Sequence, residues 1–194
     1  MPCLHRFNSA LNRLKILFFL ALTFMTFNVI AEQPPIDTGP ELGSKLPPVF
    51  VADQFGDKQN LNNAMRENGA VVVVFRSADW CPFCKRYLLE LNEVVDQFKQ
   101  KGYGVVGISY DSTQTLRKFS QSNKLKFSLW SDQEVKTFKA FDVVNTKHEP
   151  TGRHYGIPYP GVIVVNNKRE VIHKYFFEGY KKRVKFKKLL KELL

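Results

Sequence analysis

Cysteine is scarce in this chain and unevenly placed. Among 194 residues only Cys3, Cys81 and Cys84 carry a thiol, and none follows Cys84. That excludes a scaffold built on disulfides and leaves a zinc knuckle without its second ligand pair. Histidine does not supply the missing ligands, because His148, His154 and His173 stand singly. No metal and no cofactor is therefore expected. Internal repeats and low-complexity tracts are also missing, which leaves one ordinary domain. Acidic residues are absent from the first 31 positions, where Arg6, Arg13 and Lys15 precede an apolar stretch from Ile16 to Ile30. Finally, the body lacks net charge. Of the formal +11, three units lie in residues 1–31 and a net six in residues 181–194. No nucleic-acid partner is expected from such a body. The basic C-terminal helix is expected to be a solvated face, with contact to an acidic membrane surface or acidic partner as the alternative.

Residues 1–31 have the layout of a secretory signal peptide, with Val29 and Ala31 at the positions before a cut. A signal anchor is the rival reading, although the apolar run is shorter than the roughly 20 residues that span a bilayer. Cys3 precedes the run, so it is no lipid site and would leave with the signal. The expectation is export, to the periplasm if the organism is a Gram-negative bacterium. There a dithiol depends on a dedicated electron donor or acceptor and not on the glutathione pool. Residues 32–46, rich in Pro and Gly, are expected to form an extended, poorly ordered lead-in, and 47–194 one domain.

Along that domain, Val49–Asp53, a Gly56-Asp57 turn and Gln59–Leu61 predict a short hairpin, and Leu61–Asn68 a short helix closed by Gly69. Ala70–Phe75 is continuously apolar, which marks a central strand covered on both faces. From Cys81 to Lys101 the residues Tyr87, Leu88, Leu91, Val94, Val95 and Phe98 recur at helical spacing. Tyr103–Tyr110 predicts a second strand, Thr113–Ser122 a helix and Lys126–Trp130 a strand. Ser131-Asp132-Gln133-Glu134 has capping-box spacing for a helix to about Phe141. Pro160–Val165 and Glu170–Phe177 form a hairpin, followed by a helix with Val184, Phe186, Leu189, Leu190 and Leu193 on one face. The order describes an α/β fold, a mixed sheet between helical layers with an N-terminal hairpin extension.

The chemistry lies in Trp80-Cys81-Pro82-Phe83-Cys84-Lys85, a C-x-x-C after the central strand and at a helix start. Two thiols so placed can close a disulfide, and the helix N-terminus favours a thiolate at Cys81. The reading is dithiol redox, with Cys81 attacking and Cys84 resolving. Arg76 is expected to be solvated, and His154 to be a surface residue.

These residues resemble the thioredoxin-fold superfamily, and within it the peroxiredoxin-like alkyl hydroperoxide reductase and thiol-specific antioxidant branch. The likeness covers roughly 43–194. It includes Gly43–Phe50, the C-x-x-C, Val105–Ser112 and Tyr155–Val165. It implies a three-layer thioredoxin-like fold and an oxidoreductase acting on thiol or disulfide client proteins, or on peroxide. In the peroxidase pattern Cys84 takes the peroxidatic place and Cys81 resolves. Ser77 and Cys81 then stand where that pattern has proline and threonine, and Pro160 where it has arginine. Pro160 is similar instead to the proline of thioredoxins, which implies a cis Tyr159–Pro160 bond facing the cysteines. Phe75 replaces the buried acid of thioredoxin. Trp80, Pro82, Phe83, Tyr159 and Pro160 are the expected supporting residues. Disulfide exchange is the leading expectation, thiol peroxidase the second, and a redox-inactive binding or assembly factor the third.

Overall fold

The computed structural model describes residues 35–152 and 154–193, so the expected signal segment lies outside the described residues. Its centre is β3 (Gly69–Val74), six residues with no exposed side. Alternate residues of β3 enter two separate cores. Val71 and Val73 face one, with Phe75 just beyond, while Ala70, Val72 and Val74 face the other. This double burial is why the run is continuously apolar.

Around β3 the chain lays down β1 (Val51–Asp53), β2 (Lys58–Gln59), β4 (Tyr103–Ser109), β5 (Ser128–Ser131), β6 (Gly161–Asn166) and β7 (Val171–Phe176). Hydrogen bonding gives the orders β2-β1-β5-β4 and β3-β6-β7. The two halves meet where the Phe75 amide, just past β3, donates to the Ile108 carbonyl of β4 (3.0 Å). β4 and β5 run parallel, whereas β1–β5, β3–β6 and β6–β7 are antiparallel. The result is the mixed α/β sheet expected from the order of elements.

Helices are α1 (Leu61–Ala64), α2 (Pro82–Gln100), α3 (Thr113–Ser122), α4 (Lys136–Ala140) and α5 (Phe186–Glu192). The apolar stripe of α2 and the buried face of α5, with Phe186, Leu189, Leu190 and flanking Leu193, close the first core. Trp130, Phe138 and Phe141 fill the second. Because the apolar face of α5 lies in the core, its outward face carries Lys187, Lys188 and Lys191, with Glu192 partly exposed beside them. Among the described residues, no helix is long and apolar enough to cross a membrane.

Two boundaries differ from expectation for identifiable reasons. The helix from Leu61 ends at Ala64, and Gly69 opens β3 and does not cap a helix. At φ +135° a Cβ there would stand 1.9 Å from the Val165 carbonyl, so glycine serves the close approach of β3 to β6. Ser131 belongs to β5, and α4 starts only at Lys136. Val135 at its N-cap makes no side-chain bond, and the first-turn amides of Thr137 (3.2 Å) and Phe138 (2.8 Å) donate instead to the Asp132 carboxylate. Burial pushes the Asp132 carboxyl up to about 6.

Residues 35–46 run beside β7. The Ile36 amide donates to Phe176 O (3.2 Å), Gly43 N to Val171 O (2.8 Å) and Leu46 N to Arg169 O (2.8 Å), while Val171 N donates to Ser44 O (2.8 Å).

Candidate active site

The C-x-x-C sits where the chain passes from β3 into α2. Cys81 is the N-cap of α2, with Pro82 in its first turn, a place that needs no amide donor. Cys81 and Cys84 are joined as a disulfide with their Cα atoms 5.3 Å apart. The Cys84 amide points to Cys81 Sγ at 3.3 Å. Both are buried in this form, at 1% and 0% exposure. Their side chains close one end of the first core.

The loop before the pair is fixed by a carboxylate. Asp111, just beyond β4, accepts from Ser77 Oγ (2.8 Å), the Ala78 amide (2.7 Å) and Ser109 Oγ (2.9 Å). Ser77 Oγ in turn accepts from the Asp79 (2.9 Å) and Trp80 (3.3 Å) amides. Ser131 Oγ donates to the Asp111 carbonyl at 2.6 Å, tying in β5. Burial raises the Asp111 carboxyl above its ordinary range, against the pull of those donors. Lys85 Nζ closes the loop from the helix side by donating to Asp79 O (2.7 Å).

The opposite wall is the irregular segment 178–185 between β7 and α5. Arg183 reaches back from it, with Nη2 3.9 Å from Cys84 Sγ and Nη1 donating to the Tyr180 and Lys182 carbonyls. Burial lowers the Arg183 guanidinium to about 10. Beneath it the Tyr87 hydroxyl donates to Val184 O (2.8 Å), and burial raises that phenol. Trp80 and Tyr180 are large and exposed, at 42% and 46%. The Arg76 guanidinium lies 4.7 Å from the Trp80 ring and 4.8 Å from the Tyr180 ring, and Phe83 meets Tyr180 edge-on at 5.6 Å. The Trp80 indole donates to Tyr110 Oη (3.0 Å).

Trp80, Pro82 and Phe83 therefore stand around the cysteines. Tyr159 does not, since it packs against the second core, on the other face of the sheet. Its amide donates to Val143 O (2.7 Å), and its hydroxyl lies 3.2 Å from Thr146 Oγ1. Every described peptide bond is trans, so the cis Tyr159–Pro160 bond implied by the resemblance is not found. Trans is the default for X–Pro, and the Tyr159 amide bond to Val143 fixes the approach to β6. Arg76 is also corrected. It is half-buried between two rings, its Nε buried without a hydrogen-bond partner, and burial lowers its pKa. Sequence reasoning assigned no role to Asp111, Tyr110, Tyr180 or Arg183. The signal for Asp111 was the Ser-Tyr-Asp end of β4; that for Arg183 was masked by neighbouring lysines.

Residues 42–174 match the AhpC/TSA family. Over 101 residues the chain is 36% identical to chloroplastic peroxiredoxin Q of Sedum lineare, covering 52% of this chain and 53% of that protein. It is 30% identical over 105 residues to peroxiredoxin Bcp of Escherichia coli K12, covering 54% and 66%. The chain thus spans about half the length of the curated relatives it matches. Among solved structures, peroxidoxin BcpB of Mycobacterium tuberculosis superposes with a TM-score of 0.69 at 19% identity, covering 79% of this chain and 96% of that one. Peroxiredoxin Q of Xanthomonas campestris gives 0.62 at 20%, covering 81% and 97%. The thioredoxin-like, peroxiredoxin-type fold is thereby established. The family match covers more than half of the chain, which belongs to the AhpC/TSA family.

Proposed function

We propose that this AhpC/TSA protein is a thiol-dependent peroxidase in which Cys84 is oxidised by a hydroperoxide and Cys81 closes the disulfide. The observation that carries the reading is the Arg183 guanidinium 3.9 Å from Cys84 Sγ. A unit charge at about 4 Å contributes about 4 kcal/mol at the effective dielectric near a protein surface, before desolvation, against about 1.5–3 kcal/mol for an amide donor to a charged group. The cation therefore favours the thiolate at Cys84 over Cys81 with its helix N-terminus. The peroxiredoxin names of the curated relatives support the same choice.

In the first step the Cys84 thiolate attacks one peroxide oxygen. The O–O bond breaks, Cys84 becomes a sulfenic acid, and the alkoxide or hydroxide leaves and takes a proton. Cys81 then attacks the Cys84 sulfur as a thiolate, hydroxide leaves as water, and the disulfide forms. A reductant must return two electrons. Arg76 and Arg183 supply positive charge around the negative groups that develop.

Disulfide exchange led by Cys81 is the second reading, and it rests on the Cys84 amide aimed at Cys81 Sγ (3.3 Å). Export belongs to the proposal through the layout of residues 1–31, and with it a dedicated electron donor.

The test is hydrogen peroxide consumption by the reduced full chain. Cys84→Ser is expected to abolish a fast reaction, while Cys81→Ser keeps the first oxidation and loses turnover. A rate no better than that of a free thiol would overturn the peroxidase reading in favour of exchange.

A further inference from the structure

A cavity of about 320 Å³ opens beside the first turns of α2. Phe83 and Tyr87 line it together with Arg86, Lys181, Lys182, Arg183 and Lys185, and Glu90 is the one acid among the lining residues. Such a concentration of cations stands out on a body that is otherwise nearly neutral. Arg86, Lys181 and Lys185 make no ion pair among the described residues. Arg86 and Lys181 instead stand over the Phe83 ring at 5.6 and 5.8 Å. Arg183 belongs to both places, because it lines the cavity and touches Cys84 Sγ. Gathered like charges repel one another, and an entering anion relieves that repulsion. The volume is at the lower end for small-molecule sites and suits a small molecule, not a protein segment.

We infer that this cavity receives the reductant of the Cys81–Cys84 disulfide, and that the reductant is a small thiol bearing a carboxylate. The inference rests on the proposed catalytic cycle for the disulfide it consumes. The thiolate of the reductant attacks Cys81 Sγ, the S–S bond breaks, and the electron pair falls on Cys84 Sγ beside Arg183. A second thiolate attacks the reductant's sulfur in the mixed disulfide. This releases the small symmetric disulfide and Cys81 as thiolate, which takes a proton from water. Two thiolates are oxidised and one protein disulfide is reduced, so two electrons pass. The aromatic floor at Phe83 packs the carbon chain of the thiol while the cations hold its carboxylate.

The experiment reduces the oxidised full chain with 3-mercaptopropionate, 2-mercaptoethanol and cysteamine, which are anionic, neutral and cationic. The rates are compared per thiolate by trapping new thiols with an alkylating reagent. At low salt the anionic thiol is expected to be about tenfold faster than the neutral one, with the cationic thiol slowest. The three converge as added salt screens the field. Lys181→Glu combined with Lys185→Glu is expected to erase the order of the three thiols. Equal rates for the three thiols, or an order that survives the charge reversal, would overturn the inference. Peroxide consumption by pre-reduced protein is measured separately. Slow peroxide turnover with the order intact removes the peroxidase reading alone, and fast turnover with no order removes this inference alone.

Discussion

The two walls of the cysteine pair are built on different principles. The loop 77–80 hangs from a buried carboxylate by directional bonds, with Asp111 taking two hydroxyls and one amide and Ser77 relaying two more amides. The segment 178–185 is held by rings, cations and carbonyls, with Tyr180 half in solvent and Arg183 bent back onto Cys84. Arg76 lies between the exposed aromatics of both. Hydrogen bonds to a buried acceptor are steep in distance and angle, whereas ring and cation contacts are shallow. One wall therefore fixes the sulfurs, and the other is the one that can yield to expose a pair that is buried when oxidised.

This contrast can be broken most severely at Asp111. Asp111→Ala strands the Ala78 amide and two hydroxyls, and is expected to cost about 3–4 kcal/mol in urea denaturation. Tyr180→Ala on the yielding wall should cost under about 1 kcal/mol, and comparable losses for both would refute the contrast. The next effect sharpens the carboxylate side. Asp132 has its folded pKa raised to about 6 by burial, so it holds a proton more tightly folded than unfolded. Its stabilising contribution is full below the unfolded carboxyl range and fades as pH climbs through about 6. The stability advantage of the parent over Asp132→Asn should thus shrink by about 2–3 kcal/mol between pH of about 4 and about 7. An advantage that grows with pH would contradict the assignment. The smallest effect tests the yielding wall. In a Cys3→Ser, Cys81→Ser background, Arg183→Gln is expected to raise the Cys84 thiol by about one pKa unit, read by ultraviolet thiolate absorbance. An unchanged titration would separate Arg183 from the chemistry.

Sequence reasoning reached the fixed parts of the molecule further than the yielding ones. The β3 run, the α2 stripe and the apolar face of α5 are periodic, so burial is written in their spacing. The C-x-x-C and its place at a helix start are local as well. The Asp111 network joins residues 34 apart in sequence, and no periodicity reports such a bond. Ser77, noted only as standing where a proline would, proves to be the hydroxyl that this network requires. Arg183 sits in a run of like charges, where one buried guanidinium looks the same as its solvated neighbours. Tyr159 and Pro160 were placed by resemblance; the bond between them is trans, and Tyr159 packs on the other face of the sheet. The helix expected from Ser131 starts later, at Lys136, because Ser131 is held in β5 by its pairing with Ala52 and Ser109.

The strand of residues 35–46 along β7 has a bearing on self-association. The outward amides and carbonyls of an edge strand are the usual template on which a second chain adds its own strand. Here Ile36, Gly43 and Ser44 already occupy such groups at the two ends of β7, and Leu46 takes the Arg169 carbonyl just before it. At the far edge β2 offers two residues, one of them Lys58. Among the described residues, a foreign strand adding at β7 would have to displace the bonds of Ile36, Gly43 and Ser44 at both ends of the strand, and at β2 it would find only two residues to pair with.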